Sequence, residues 1–232
     1  LRRFLADASH ELRTPLVSIR GYAELHRIGA TTSDEEVARS MERIEQEAQR
    51  MGVLVEDMLS LARLDETHEN RYVPVDISAI AANAVRDAEA SAPDRSISLS
   101  TEGSPIVSGD ADQLHQVFSN LLVNAVVHTP AGTPVEVSIT HSGDDLRIDI
   151  RDHGAGLPDG AGDQIFERFW RAESGRARGR AGSGLGLAIV REIVAAHGGR
   201  VHAKNAEDGP GAVVSIWLPL PSGPEALSEL SG

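Results

Sequence analysis

The side chains best placed for covalent chemistry lie near the start of the chain, in FLADASHELRTPLVSIRGY, residues 4 to 22. Leu5, Ala8, Leu12, Pro15, Ile19 and Tyr22 recur at alternating spacings of three and four, which predicts a packed helix. At ~100° per residue, His10 falls about 200° from Ala8, on the face that points to solvent. Thr14 stands one turn further along that face, and Glu11 lies at its flank. Neutral imidazole is a competent nucleophile at pH 7, and an adjacent carboxylate can hold one ring N–H so that the other nitrogen presents its lone pair. On spacing alone, a solvated histidine on a polar face is the more ordinary account.

Three later strings carry groups suited to a phosphorylated ligand. Asn120 and Asn124 are one turn apart on a helical pattern, and amide oxygens suit a hard cation such as Mg²⁺ that keeps waters and binds substrate phosphates. Asp152-His153-Gly154-Ala155-Gly156 ends a strand pattern; its glycines allow close backbone approach while the acid can accept from an exocyclic amine. Gly182-Ser183-Gly184-Leu185-Gly186-Leu187 lacks the spacing of a dinucleotide fingerprint and suits phosphate binding at a helix N-terminus. There is no GxxxxGK[ST] loop, and the DHG turn is not accompanied by the HRD loop or strand lysine of protein kinases.

The elements that must position these groups divide in two. After a break at Gly29 to Thr32, Ser33-Asp34-Glu35-Glu36 is a capping box that starts a second helix, with Val37, Met41, Ile44, Ala48, Met51, Val55, Met58 and Ala62 as its apolar stripe. The expectation is an antiparallel helical hairpin over 1–66, pairing with a second copy into a dimeric four-helix bundle. The polar run Asp65 to Arg71 breaks the pattern, with a linker at 67–71. From 72 to 220 strand and helix patterns alternate, predicting an α/β domain. Its elements are a strand at Tyr72–Val75, a helix from Asp76 to about Ala90, a strand through Ile97, Leu99 and Thr101, and a helix at Ala111–His128. A hairpin around Ser142–Asp145, a helix ending near His197 and two final strands follow. The stretch 153 to 183 reads as a lid, and 221–232 as a disordered tail. The 35 acidic against 22 basic residues, net charge −13, argue against a nucleic-acid partner, and with no cysteine there is neither disulfide nor thiolate chemistry. No apolar run is long enough to span a bilayer, so the piece is expected to be soluble, and its start inside a helical pattern suggests an excised fragment.

SHELRTPL closely resembles the H box of sensor histidine kinases, and the later strings follow in that family's order. NLLVNAVVHTP resembles the N box of Bergerat-type ATPases, while DHGAG, FERFW and GSGLGLAIV resemble the G1, F and G2 boxes. The resemblance implies that His10 takes the γ-phosphoryl of ATP with Glu11 as base, and that Thr14 positions water in a phosphatase reaction. It implies Asn120 near the phosphates, Asn124 as the Mg²⁺ ligand and Asp152 as the reader of adenine. His128, Gly154, Gly156, Phe166, Gly182, Gly184, Leu185 and Gly186 complete the nucleotide side. Val127 stands where the family often has Lys or Arg, and Arg176, Arg178 and Arg180 in the lid are the cations that could compensate. ATP and Mg²⁺ are the implied cofactors, a second copy and a response-regulator receiver domain the implied partners, and the cytoplasmic part of a membrane-anchored sensor the implied setting. The competing readings are a related hydrolytic ATPase, which places Glu where Asn120 stands, and a catalytically degenerate dimeric scaffold.

Overall fold

The computed structural model describes residues 2–30, 32–64, 72–171 and 183–221. The expected linker at 67–71, the tail from Ser222 onward, the three lid arginines and Gly182 lie outside the described residues. Helix α1 (Arg2–Arg27) packs along α2 (Asp34–Leu64). The turn between them is closed by the predicted box: Glu36 N–H donates to Ser33 Oγ, and Glu36 Oε2 accepts from the Thr32 and Ser33 amides. These two backbone bonds hold the Glu36 carboxyl below its usual range. Pro15 is buried inside α1 and the helix continues through it. Having no N–H, it leaves the carbonyl one turn earlier, that of Glu11, without its helical donor.

The stripe expected on α2 divides in the structure. Val37, Ile44, Met51 and Met58 are half-buried on the same flank as the buried Ser40, Leu54 and Leu61. Met41 and Val55, 45% and 43% exposed, lie on an open flank with Ala48 and Ala62. One helix partner covers only one flank of a wide apolar stripe, so the hairpin alone leaves the other in solvent.

The α/β half contains β1 (Val73–Asp76), α3 (Ile77–Ser91), β2 (Ile97–Thr101), β3 (Ile106–Gly109), α4 (Ala111–His128), β4 (Val135–Ser142) and β5 (Asp145–Asp152), then α5 (Gly186–Ala196), β6 (Arg200–Asn205) and β7 (Ala212–Pro219). The five-stranded sheet has the order β2-β4-β5-β7-β6, with β2 parallel to β4 and the other neighbours antiparallel; β1 and β3 form a separate antiparallel pair. Alternate residues Val135, Val137, Ile139, Leu146, Ile148, Ile150, Val214, Ile216 and Leu218 are buried under α3, α4 and α5. The opposite face carries ion pairs and Trp217, which lies between the Arg147 and Arg200 guanidinium groups at 5.5 and 4.9 Å.

Asp76 and Asp110 cap α3 and α4, each accepting two amides of the first turn. These carboxylates fix where the helices begin. The predicted hairpin has the register Ser142↔Asp145, and α4 has the predicted limits. Strand β3 was not expected, because four residues with a single well-buried side chain, Val107, give too little alternation to read. The parallel pairing of β2 with β4 follows from the crossover through β3 and α4, a long-range contact that no local pattern encodes.

Candidate functional site

His10 is exposed on α1, as its place opposite the buried Ala8 requires, with Thr14 exposed one turn on and Glu11 half-buried beside them. Thr14 Oγ1 lies 3.5 Å from the His10 carbonyl, at the outer limit of a hydrogen bond. Among the described residues, no hydrogen bond or ion pair links His10 or Glu11 to another side chain, so the imidazole is open to an incoming electrophile.

The other predicted residues converge where α4 meets the start of α5. The Asn120 amide donates from Nδ2 to the Gly186 carbonyl at 3.2 Å, which fixes the amide rotamer and turns Oδ1 away from that bond. Asn124, one turn further, is half-buried and has no hydrogen-bond partner among the described residues, so its amide is available. One amide oxygen on a polar helix face fits a Mg²⁺ ion held mainly by phosphates and water. His128 closes the helix and is exposed.

At the end of β5, Asp152 Oδ1 accepts the Gly154 amide at 2.8 Å and the Ala212 amide at 3.3 Å. Two backbone donors hold one oxygen, and Oδ2 has no hydrogen-bond partner among the described residues. Gly154 must be glycine here: a Cβ would stand 2.8 Å from the Thr129 methyl and 3.0 Å from Asp152 Oδ1. The turn that follows is clamped from β6, where Asn205 Oδ1 accepts the Leu157 amide at 2.6 Å and Nδ2 donates to the Leu157 carbonyl at 3.1 Å. That clamp sits against Gly156.

The α5 entry loop is tied in two directions. Phe169 N–H donates to the Gly184 carbonyl at 2.8 Å, joining the segments on either side of residues 172–182. Phe169 has φ 62°, the only non-glycine in the left-handed region among the described residues, and Gly184 faces it with φ +71° and no room for a side chain. Strain of that kind persists only where surrounding contacts over-determine it. Ser183 Oγ accepts the Leu185 amide at 3.1 Å and donates to Asp57 Oδ2 of α2 at 2.5 Å. Phe166, expected on the nucleotide side, is 1% exposed and lies in the core; Leu185 is likewise buried. Both act from beneath the loop and do not line its surface.

Three supporting residues escaped the sequence reading. Arg95, buried before β2, donates to Thr129 Oγ1 and to the carbonyls of Val126, Thr129 and Thr133, closing the C-terminal end of α4 beside Gly154. Asn205 and Asp57 are the others. Each acts on a segment dozens of residues away, and no local signal marks it. The His10 group and the α4–α5 group are not brought together: no hydrogen bond or ion pair joins them among the described residues.

Comparison with known proteins assigns both halves. Residues 1–67 match the family model of the His Kinase A (phospho-acceptor) domain, and residues 109–222 that of the histidine kinase-, DNA gyrase B- and HSP90-like ATPase. The chain is 43% identical over 230 residues to the probable sensor histidine kinase TcrY of Mycobacterium tuberculosis, covering 97% of this chain and 48% of that protein. It thus spans about half the length of that relative. The ATP-binding domain of PrrB from the same organism is 33% identical, with a TM-score of 0.55, over 66% of this chain and 99% of that domain. Histidine kinase ThkA, solved in complex with the response regulator TrrA, shares the fold of both halves at a TM-score of 0.75 over 94% of this chain and 61% of that one, at 20% identity. The chain belongs to the sensor histidine kinases, carrying the phospho-acceptor hairpin and the ATPase domain of that family.

Proposed function

We propose that this chain binds ATP between α4, the Asp152 turn and the α5 entry loop, and transfers the γ-phosphoryl group to His10. A ring nitrogen of His10 forms the N–P bond as the bond to the β,γ-bridging oxygen breaks, ADP leaves with that electron pair, and the second ring nitrogen gives its proton to Glu11. Asp152 Oδ2 receives the adenine amine, and Asn120 lies beside the phosphates. Asn124 would hold Mg²⁺, which when bound supplies positive charge to the phosphate oxygens. Arg176, Arg178 and Arg180 are offered as further phosphate cations in place of one at Val127.

The observation that carries this reading is that one chain presents an exposed His10 on a hairpin and, separately, Asp152 with one oxygen pinned by two amides, neither His10 nor the other Asp152 oxygen having a side-chain partner among the described residues. Because the two groups are apart, transfer requires the ATP domain to move to a His10 of its own or a partner's hairpin. The open flank of Met41 and Val55 supports a homodimer built on α2. By likeness to ThkA with its regulator, phosphohistidine would pass the group to a receiver-domain aspartate, and Thr14 would orient water in the reverse, phosphatase direction. No described helix is long and apolar enough to cross a membrane. We place the fragment on the cytoplasmic side of a longer, membrane-anchored sensor. The test separates the halves: His10→Gln should bind ATP like wild type yet take no phosphate, while Asp152→Asn should bind ATP more weakly and, at ATP below saturation, take less phosphate. Label on His10→Gln at the wild-type level would contradict the assignment.

A further inference from the structure

We propose that Asp57 is an internal anion that competes with the phosphates of the nucleotide for the α5 entry loop, so that ATP binding and docking of α2 on the ATP domain oppose each other. The proposal rests on the nucleotide reading above. Ser183 is 9% exposed and has both roles of its hydroxyl committed: the proton goes to Asp57 and a lone pair takes the Leu185 amide. That amide is at the N-cap of α5, where N–H groups point outward without helical partners and attract anions. α5 has no side-chain cap hydrogen bond at Leu185, and among the described residues Asp57, bound through Ser183, brings a carboxyl to that end.

The contact is built and not incidental. Around it Leu61 is buried within the ATP-domain core, Met58 and Leu64 pack against the same core, and Ser60 Oγ donates to Gln116 of α4 at 3.1 Å. Burial pushes the Asp57 carboxyl above its usual range, more strongly than the Ser183 hydrogen bond lowers it. A triphosphate arriving at the same loop meets that carboxyl, and the Ser183 hydroxyl it would use as a donor is already committed to Asp57. Each event therefore weakens the other by the same factor.

The intact chain tests this. Asp57→Asn keeps an acceptor for Ser183 and removes the charge, so calorimetric titration with ATP and Mg²⁺ should show binding roughly three- to tenfold tighter than wild type, the scale of one partly screened charge beside a polyanion. Equal or weaker binding overturns the proposal, while absence of ATP binding in the wild type overturns the nucleotide reading and the proposal with it. The chain has no cysteine, so spin labels at Glu35→Cys and Ser142→Cys, both exposed, report the distance between the hairpin and the sheet. ATP should broaden that distance in the wild type, and Asp57→Ala should be broad without ATP. A distribution indifferent to ATP in the wild type contradicts the coupling even if affinities move.

Discussion

At the scale of single residues the site is a set of side chains each left with one free function. Asn120 spends its N–H₂ on Gly186, and Asp152 spends Oδ1 on two amides. Removing the charge of Asp152 should weaken ATP binding by about 1.5 to 3 kcal/mol, the range for hydrogen bonds to charged groups, read by titration of Asp152→Asn. Glu11→Ala should slow phosphorylation about 10²-fold or more with ATP affinity unchanged, as a lost general base does; a rate within a few-fold of wild type would remove Glu11 from the mechanism. The identities of these residues were legible because they sit in contiguous strings. Their partners were not: Arg95, Asn205 and Asp57 act through contacts of 31 to 126 positions in sequence, which only the folded chain creates.

Among the elements, α4 and α5 matter most, and His197 ties them. Its Nε2 accepts the Asp110 amide at the head of α4 at 3.1 Å, its Nδ1–H donates to the Ile193 carbonyl of α5 at 2.8 Å, and Tyr72 stacks on the ring at 4.6 Å. One nitrogen accepts and the other donates, so the ring must be neutral; burial, at 6% exposure, holds its pKa below the ordinary value. The unfolded chain therefore binds a proton that the folded chain refuses, and stability falls as pH drops below about 6.5. Thermal melts between pH 7.5 and 5.5 should show a steeper loss of Tm for wild type than for His197→Gln. Parallel slopes would exclude His197 as the source. Long periodic helices and the hairpin at Ser142–Asp145 were readable because each repeats its period several times. β3 was not readable, since a single buried residue establishes no period.

For the whole molecule the division of α2 decides the assembly. Its inner flank packs on α1, its C-terminal turns pack on the ATP domain, and the flank with Met41 and Val55 remains open. Met41→Asp with Val55→Asp should leave the hairpin folded and convert a dimer to a monomer in sedimentation, because neither residue is buried within one chain. Unchanged sedimentation would place the interface elsewhere. The sequence showed the apolar stripe but not its division, since separating two flanks requires knowing which one α1 covers. The two halves are proposed to form one phosphotransferase with His10 as acceptor. This is tested most directly by incubating the chain with γ-labelled ATP and Mg²⁺, treating the product with acid and with base, and mapping the labelled peptide. The label should be lost in acid, kept in base and carried by the peptide containing His10. A label stable in acid, or one on another peptide, would contradict the proposal.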